Sequence, residues 1–331
     1  MQDQATKGGA KKIQSMYECA PYPDLGANLK SMDIYWNALS EEVDRNSNLR
    51  FLDVGCGTGH YLVGVAKKFP HWKCYGTDLS GPSLSVCGDL SKRHGVQNLT
   101  LEKGNYAENI PFEGTFDIIS ALGTIHHCEK PVAALKNVAQ SLSDDGYLFV
   151  HLYGSRLDSG RFDVKEILNI FEPDLTNVER RFEIYDALMK HREKHWLKSF
   201  VQKPLIEILM MPRNKLRNIV RRLKGYSWSP GWTVRYDKPS APWIDHFCNP
   251  CEKAYNVSEV LELVDGAGLK IVKMIGHGRE HPQLVPELWS GSYEKLSQDD
   301  RWRLSELLAF GGGSFNMILQ KNADATSLDG I

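Results

Sequence analysis

Phe51-Leu52-Asp53-Val54-Gly55-Cys56-Gly57-Thr58-Gly59-His60 is the stretch that decides how this chain is read. Phe51, Leu52 and Val54 form a short apolar run of the kind buried in a parallel sheet. Gly55, Gly57 and Gly59 follow at alternate positions and open a helical pattern from Tyr61 to Phe69. A strand that passes into a helix through glycines brings backbone N–H groups and a helix N-terminus close to a ligand, with no Cβ in the way. The spacing argues against a dinucleotide loop, Gly-x-Gly-x-x-Gly, whose third glycine would fall on His60. What stands here is an acidic residue followed by alternating glycines, Asp53-x-Gly55-x-Gly57-x-Gly59.

Downstream, strand and helix signals alternate. Lys73–Leu79 reads as a second strand ending in Asp78, at the separation from the loop where a carboxylate accepts hydrogen bonds from ribose hydroxyls. Ser80 suits a helix N-cap, and Pro82–His94 reads as the helix, with Pro82 in its first turn. Leu99–Asn105 is a third strand and Phe116–Leu122, continuously apolar, a fourth. The fourth runs into Gly123-Thr124-Ile125-His126-His127-Cys128, then a helix from Pro131 to Leu142. Asp144-Asp145-Gly146 is expected to turn the chain into a fifth strand, Tyr147–Tyr153. Four alternations point to a doubly wound parallel α/β sheet.

This run of motifs resembles the class I, Rossmann-like, S-adenosylmethionine-dependent methyltransferases, in particular the bacterial enzymes that act on small molecules. The resemblance implies a seven-stranded sheet whose last strand runs antiparallel between the fifth and sixth. It implies S-adenosylmethionine as cofactor, held by Asp53, Gly55, Cys56, Gly57, Gly59, Asp78, Leu79, Asn105, Tyr106, Leu122 and Gly123. Asn105 departs from the family, which carries an acidic residue there for the adenine amino group. An amide carbonyl still accepts that bond without charge assistance, or Asn105 simply shapes a turn. Tyr106 and Ile110 are candidates to sandwich the adenine. In resembling enzymes the end of the fourth strand meets both the cofactor and the acceptor, which makes His126 and His127 the candidate catalytic residues. An imidazole accepts a proton at neutral pH, and His127 is the candidate general base.

No metal is expected. His246-x-Cys248-x-x-Cys251 lacks a fourth ligand close in sequence, and no second Cys-x-x-Cys exists. After the fifth strand the regularity stops. Residues 155–255 read as a mainly helical insertion, helical by periodicity between Val164 and Leu223, with 13 Lys and Arg against 4 Asp and Glu from Arg180 to Lys224. Insertions at this point in the family cover the acceptor site, so this one is expected to be the substrate lid. Tyr17 and Tyr22, with Tyr35, suit an N-terminal lid segment, and Trp228, Trp232, Trp243 and Arg235 complete the candidate acceptor-binding set.

The remaining boundaries follow composition and periodicity. Residues 1–45 are tail and lid segment: a disordered tail through Lys12, a short helix Ile13–Ala20, a stop at Pro21 and Pro23, and a helix Met32–Val43. Residues 46–154 are the cofactor-binding core. Residues 256–321 complete the sheet, with a helix Ser258–Gly266 capped by Ser258, a strand Leu269–Ile275, a helix Asp300–Leu308 and a strand Ser314–Gln320. Residues 322–331 are a tail. The net charge of −1 over 331 residues gives no electrostatic case for nucleic acid or a membrane. No apolar window reaches membrane-spanning length, the polar N-terminus has no signal-peptide core, and seven scattered cysteines suit a reducing compartment. The expectation is a cytoplasmic methyltransferase with a small, partly apolar acceptor that can carry an anionic group, which interleaved Arg and Lys such as Arg235 would neutralise. A macromolecular acceptor gripped by the basic insertion, or a SAM-binding scaffold without turnover, is the alternative. The chain lacks the Asn-Pro-Pro-Tyr type of signature of many base-methylating enzymes, and its intact acidic and glycine positions argue against a scaffold.

Overall fold

The computed structural model describes residues 2–23, 25–28, 32–39, 42–201, 235–276, 279–308 and 314–322. Two compact units result. Met1–Arg156 with Asn249–Ile331 forms the first, and Leu157–Cys248 the second.

The first unit is built on seven strands: β1 (Arg50–Val54), β2 (Lys73–Asp78), β3 (Leu99–Lys103), β4 (Phe116–Leu122), β5 (Leu142–Leu152), β6 (Leu269–Ile275) and β7 (Phe315–Lys321). Their spatial order is β3-β2-β1-β4-β5-β7-β6. β1 to β5 pair in parallel, whereas β7 runs antiparallel to both β5 and β6. The expected seven-stranded, doubly wound sheet is therefore present, with the seventh strand where it was placed.

Strand alternation sorts the core. Phe51, Ile118 and Phe149 pack on one face, while Leu52, Ile119, Leu148 and Val150 pack on the other. Both faces of β1 and β4 are buried, which is why these strands read as unbroken apolar runs. The first face is closed by α2 (Asp33–Ala38) and α3 (Leu62–Lys68), whose Trp36 meets Phe51, Phe69, Trp72 and Phe149 ring to ring. Tyr35 stacks on Phe149 and donates to Asn316 Oδ1 at 2.9 Å, so it is core and not lid. The strand order reverses between β1 and β4, and the crevice at their carboxyl ends is where ligands bind in such sheets.

Several local expectations are corrected. The segment expected to be disordered begins a single helix, α1 (Gln2–Cys19). Its Ala, Lys and Gln residues favour helix enough to carry Gly8 and Gly9, and Gln14 bonds Glu18 one turn on. α2 stops at Ala38, short of Val43. Asp144-Asp145-Gly146 does not precede the fifth strand but is looped out within it, where the register jumps from Phe116↔Leu142 to Ile118↔Tyr147. α4 (Gly81–Arg93) is capped by Ser80, whose hydroxyl accepts from Ser83 N–H, as expected. α5 spans Pro131–Gln140.

The division between units falls in the first turn of α6 (Ser155–Phe171). In the second unit α6, α7 (Val178–Val201) and α8 (Ala241–Cys248) surround a core of Val164, Leu168, Tyr185, Trp243, Phe247 and Cys248. Arg181 lies wholly buried there. Its guanidinium donates to Glu172 O, to Asn169 Oδ1 at 2.9 Å and to Phe247 O at 2.7 Å. A buried cation is tolerated because three oxygen acceptors meet its two terminal nitrogens, although Nε has no hydrogen-bond partner among the described residues.

Back in the first unit, α9 (Val257–Gly266) starts at Asn256, not Ser258. Asn256 Oδ1 accepts Glu259 N–H while the Glu259 carboxylate accepts Asn256 N–H, a reciprocal capping box. α10 (Gln298–Leu308) precedes β7. No helix among the described residues is long and apolar enough to cross a membrane.

Candidate active site

β1 delivers the glycine loop. Gly55, Gly57 and Gly59 all have positive φ, at 65°, 53° and 83°. The loop needs glycine for conformation, but the space their missing side chains leave is filled by protein. A Cβ on Gly55 would strike Thr124 Oγ1, on Gly57 the Tyr22 carbonyl, and on Gly59 Cys87 Sγ, each at 2.3 Å.

β2 delivers Asp78, half-buried at its carboxyl end. Oδ2 accepts Gly57 N–H and Oδ1 accepts Ser80 N–H, both at 2.8 Å. Burial pushes its pKa up, while backbone N–H groups of Ser80, Gly57 and Leu79 oppose that shift. Each carboxylate oxygen has a second acceptor direction, so the loop bonds leave capacity for a ligand hydroxyl.

Asp53 sits deeper, opposite Gly76 of β2 and Ser120 of β4. Ser120 donates to its Oδ1 at 2.6 Å. Burial drives its carboxyl up to about 7, partly offset by Ser120 and reinforced by the negative charge of Asp78.

At the end of β3, Asn105 engages its own turn: Oδ1 accepts Ala107 N–H at 3.1 Å and Nδ2 donates to Glu108 at 2.9 Å. Tyr106 is buried, with its hydroxyl against Thr124 Oγ1 at 2.7 Å and Cys128 Sγ at 3.1 Å, and Ile110 is buried in the same cluster. The Tyr106 hydroxyl thus ties the β3 end to the β4 end. Cys56 is buried in the loop, whereas Leu79 and Leu122 are half-buried at their strand ends. Gly123, after β4, has φ 75° and faces open space, with nothing within 4 Å of its absent Cβ.

β4 ends in a single 3₁₀ turn, Ile125–His127. His126 is turned inward at 1 % exposure, with its ring centroid 3.9 Å from that of Tyr153. His127 lies beside it, at 4.3 Å between centroids, and His151 of β5 is 6.2 Å from His126. Burial and the neighbouring His127 lower His151 to about 4, so it is a neutral imidazole at physiological pH. His127 Nδ1 lies 3.1 Å from the Cys251 carbonyl oxygen and 3.0 Å from Asn249 Nδ2.

The chain re-enters this unit at Asn249 and runs beside the β4 and β5 ends: Lys253 N–H donates to His126 O, and Tyr255 N–H to Tyr153 O. Asn249, Ser120, Thr124, His151 and Tyr153 are site neighbours that sequence reasoning missed. Asn249 stands inside the His246-x-Cys248-x-x-Cys251 stretch, but nothing local points to its partner His127, 122 residues away.

The N-terminal segment lies across the loop. Tyr17 O accepts the Ser80 hydroxyl at 3.1 Å, Tyr22 O accepts Thr58 N–H at 3.2 Å, and Asn28 N–H donates to His60 O at 2.9 Å. Tyr17 and Tyr22 thereby join the cofactor loop, and the Tyr17 hydroxyl stands 3.4 Å from Asn249 Nδ2.

The acceptor candidates from the insertion fare differently. Trp243 is wholly buried in the second unit's core against Phe182, Tyr185 and Phe247, so it packs that core and lines no open surface. Arg235 is ion-paired with Asp186 at 3.5 Å. Trp228 and Trp232 lie outside the described residues, as does the insertion's helical pattern beyond 201. His246 Nδ1 meets the Tyr236 hydroxyl at 2.8 Å, Cys248 is buried, and among the described residues no three potential ligands gather around a point.

Residues 52–148 match the family model of a methyltransferase domain. This stretch is a methyltransferase domain. The match runs from β1 into β5 and contains the loop, Asp78 and both histidines. Among proteins, the chain is similar to an uncharacterized protein of Synechococcus sp., 26 % identical over 263 residues, 78 % of this chain and 57 % of that one. It is also similar to the malonyl-[acyl-carrier protein] O-methyltransferase of Bacillus cereus, 26 % identical over 155 residues, 46 % of this chain and 55 % of that one. The chain thus spans little more than half the length of these curated relatives. Among solved structures, PKMT2 from Rickettsia typhi in complex with AdoHcy superposes with a TM-score of 0.64 at 14 % identity, over 92 % of this chain and 55 % of that one. At that identity the likeness supports the fold.

The methyltransferase domain's residues fit its cofactor. Asp78 presents a half-buried carboxylate at the β2 end, Gly123 leaves open space at the β4 end, and Asp53 supplies a buried acidic group.

Proposed function

We propose that this chain is an S-adenosylmethionine-dependent methyltransferase that acts in the cytoplasm on a small, partly apolar acceptor. The observation that carries this reading is the placement of His127, on the turn that ends β4, at the crevice flanked by the glycine loop and Asp78. The seven free cysteines suit the reducing compartment.

When bound, the cofactor supplies an electrophilic methyl group on a sulfonium. The protein's work is then positioning, together with removal of the acceptor's proton. Asp78 takes the ribose hydroxyls while holding the loop in shape. Asp53, once ionised, offers negative charge to a cationic cofactor. His127, with its proton on Nδ1, has Nε2 as the lone pair that takes a proton from an acceptor hydroxyl. His151, held neutral, places no second cation beside it.

The Bacillus cereus relative, named for an O-methyl transfer, supports an oxygen nucleophile. An anionic group on the acceptor was expected from Arg235. Arg235 shares Asp186 with Lys190, whose ammonium is the nearer at 2.5 Å, so an anionic group on the acceptor stays part of the proposal.

A probable tRNA methyltransferase is also among the matches, so the deciding experiment separates acceptor classes. The purified chain is incubated with methyl-labelled S-adenosylmethionine and, separately, with a low-molecular-weight metabolite extract, total tRNA and total protein. Label in the metabolite fraction is expected. Label confined to RNA or protein overturns the small-acceptor reading.

A further inference from the structure

The surroundings of His127 contain a conflict. Cys251 O, 3.1 Å from Nδ1, accepts a hydrogen bond only if that nitrogen carries the proton. Asn249 Nδ2, 3.0 Å from the same nitrogen, donates only if it does not. The Asn249 amide cannot resolve this by turning over at no cost. Its Oδ1 accepts Cys251 N–H at 3.1 Å, and a flip would set two donors against each other. Asn249 is also 1 % exposed, which keeps water from relieving the mismatch.

We propose that Asn249 is a positioning residue for His127: its amide nitrogen competes with the Cys251 carbonyl for Nδ1, and so sets whether Nε2 carries a lone pair or a proton. With the proton on Nδ1 and given to Cys251, Nε2 is a base. With Nδ1 accepting from Asn249, Nε2 holds a proton and is a donor. Tyr17 enters the balance as a second partner for the same amide nitrogen, at 3.4 Å. The amide nitrogen carries two hydrogens, so when the Tyr17 hydroxyl accepts one, the other stays directed at His127. Tyr17 O also accepts the hydroxyl of Ser80, the residue two beyond Asp78. One residue therefore touches both the cofactor end and the histidine end of the site. Around the ring, His126 and Tyr153 stand at 4.3 and 6.0 Å between centroids, while His151 acts on it electrostatically; Cys251 and Asn249 meet Nδ1.

This inference rests on the reading of His127 as the base, but its test does not read turnover. The full chain is labelled with ¹⁵N-histidine and saturated with S-adenosylhomocysteine. The two ring nitrogen shifts of His127, assigned by their loss in His127→Gln, report which nitrogen is protonated. Asn249→Ala and the isosteric Asn249→Asp are expected to move His127 to a single Nδ1–H pattern. Tyr17→Phe, which removes the hydroxyl anchoring the other amide hydrogen, is expected to move it the same way, by less. His127 shifts in both Asn249 variants that match wild type overturn the proposal, as does a Tyr17→Phe shift in the direction opposite to theirs. A His127→Ala enzyme with normal turnover would remove the base role while leaving the tautomer result intact, so the two failures are distinguishable.

Discussion

Asp78 Oδ2 accepts the backbone N–H of Gly57 at 2.8 Å, so the carboxylate that ends β2 also holds the loop that leaves β1. One side chain thus serves conformation and ligand. Asp78→Ala is expected to lose about 1.5–3 kcal/mol of S-adenosylhomocysteine binding, from charge-assisted hydrogen bonds. It also frees the N–H groups of Gly57 and Ser80, so the melting temperature without ligand falls too. Isothermal calorimetry and a thermal melt check both, and unchanged affinity would remove Asp78 from the site.

Gly57→Ala tests the strap across the loop. Its φ of 53° costs an alanine about 1–2 kcal/mol, and the new Cβ would lie 2.3 Å from the Tyr22 carbonyl. The expected result is displacement of the segment around Tyr22, seen as faster hydrogen exchange at Thr58 N–H, which that carbonyl accepts at 3.2 Å.

Asp53 gives stability a pH dependence of known sign. Its folded carboxyl titrates near 7, above the ordinary carboxylate value of about 4, so the folded state binds a proton that the unfolded chain has already released. Its contribution is fully present below pH ~4 and is lost as pH rises through about 7. His151 acts the other way, since its folded value of about 4 makes stability rise as the unfolded imidazole loses its proton up to pH ~6.5. Subtracting the melting curve of Asp53→Asn from that of wild type cancels His151. The variant is expected to be the more stable at pH 8 without ligand, yet to bind S-adenosylmethionine more weakly. A pH-independent difference would refute the assignment.

His127→Ala is expected to lower turnover by roughly 10²–10⁴-fold once an acceptor is in hand. S-adenosylhomocysteine affinity stays nearly intact, because the ring contacts lie at the Asn249 and Cys251 side. Normal turnover in the variant would leave proximity alone to explain the rate.

In the second unit, Arg181→Met exchanges a cation for an apolar chain but abandons Asn169 Oδ1 and the carbonyls of Glu172 and Phe247. Each buried acceptor left without a donor costs about 1–3 kcal/mol, so loss of several kcal/mol is expected. Helical signal lost on heating at a lower temperature than in wild type, with S-adenosylhomocysteine binding preserved, would locate the damage in that unit.

The amino-acid order by itself determined the sheet and the cofactor loop. Apolar runs bounded by glycine or acidic residues mark β1 and β4 because burial and turn chemistry act over a few residues. Asp53, Gly55, Gly57, Gly59 and Asp78 fall within one βαβ unit, so spacing alone carries their relation. Local signals also misled where a competing local choice won: Asn256 outranked Ser258 as cap because Glu259 completes its box, and helix formers drew the N-terminus into α1. Tertiary structure decided the rest. Tyr35 and Trp243 look like lid aromatics in sequence, yet each is wholly packed in a core, since an aromatic's role depends on what covers it. Asn249 reaches His127 only because the chain returns from the second unit beside β4. No periodicity encodes a hydrogen bond between residues 122 positions apart, and there the fold, not the spacing, chooses the partner.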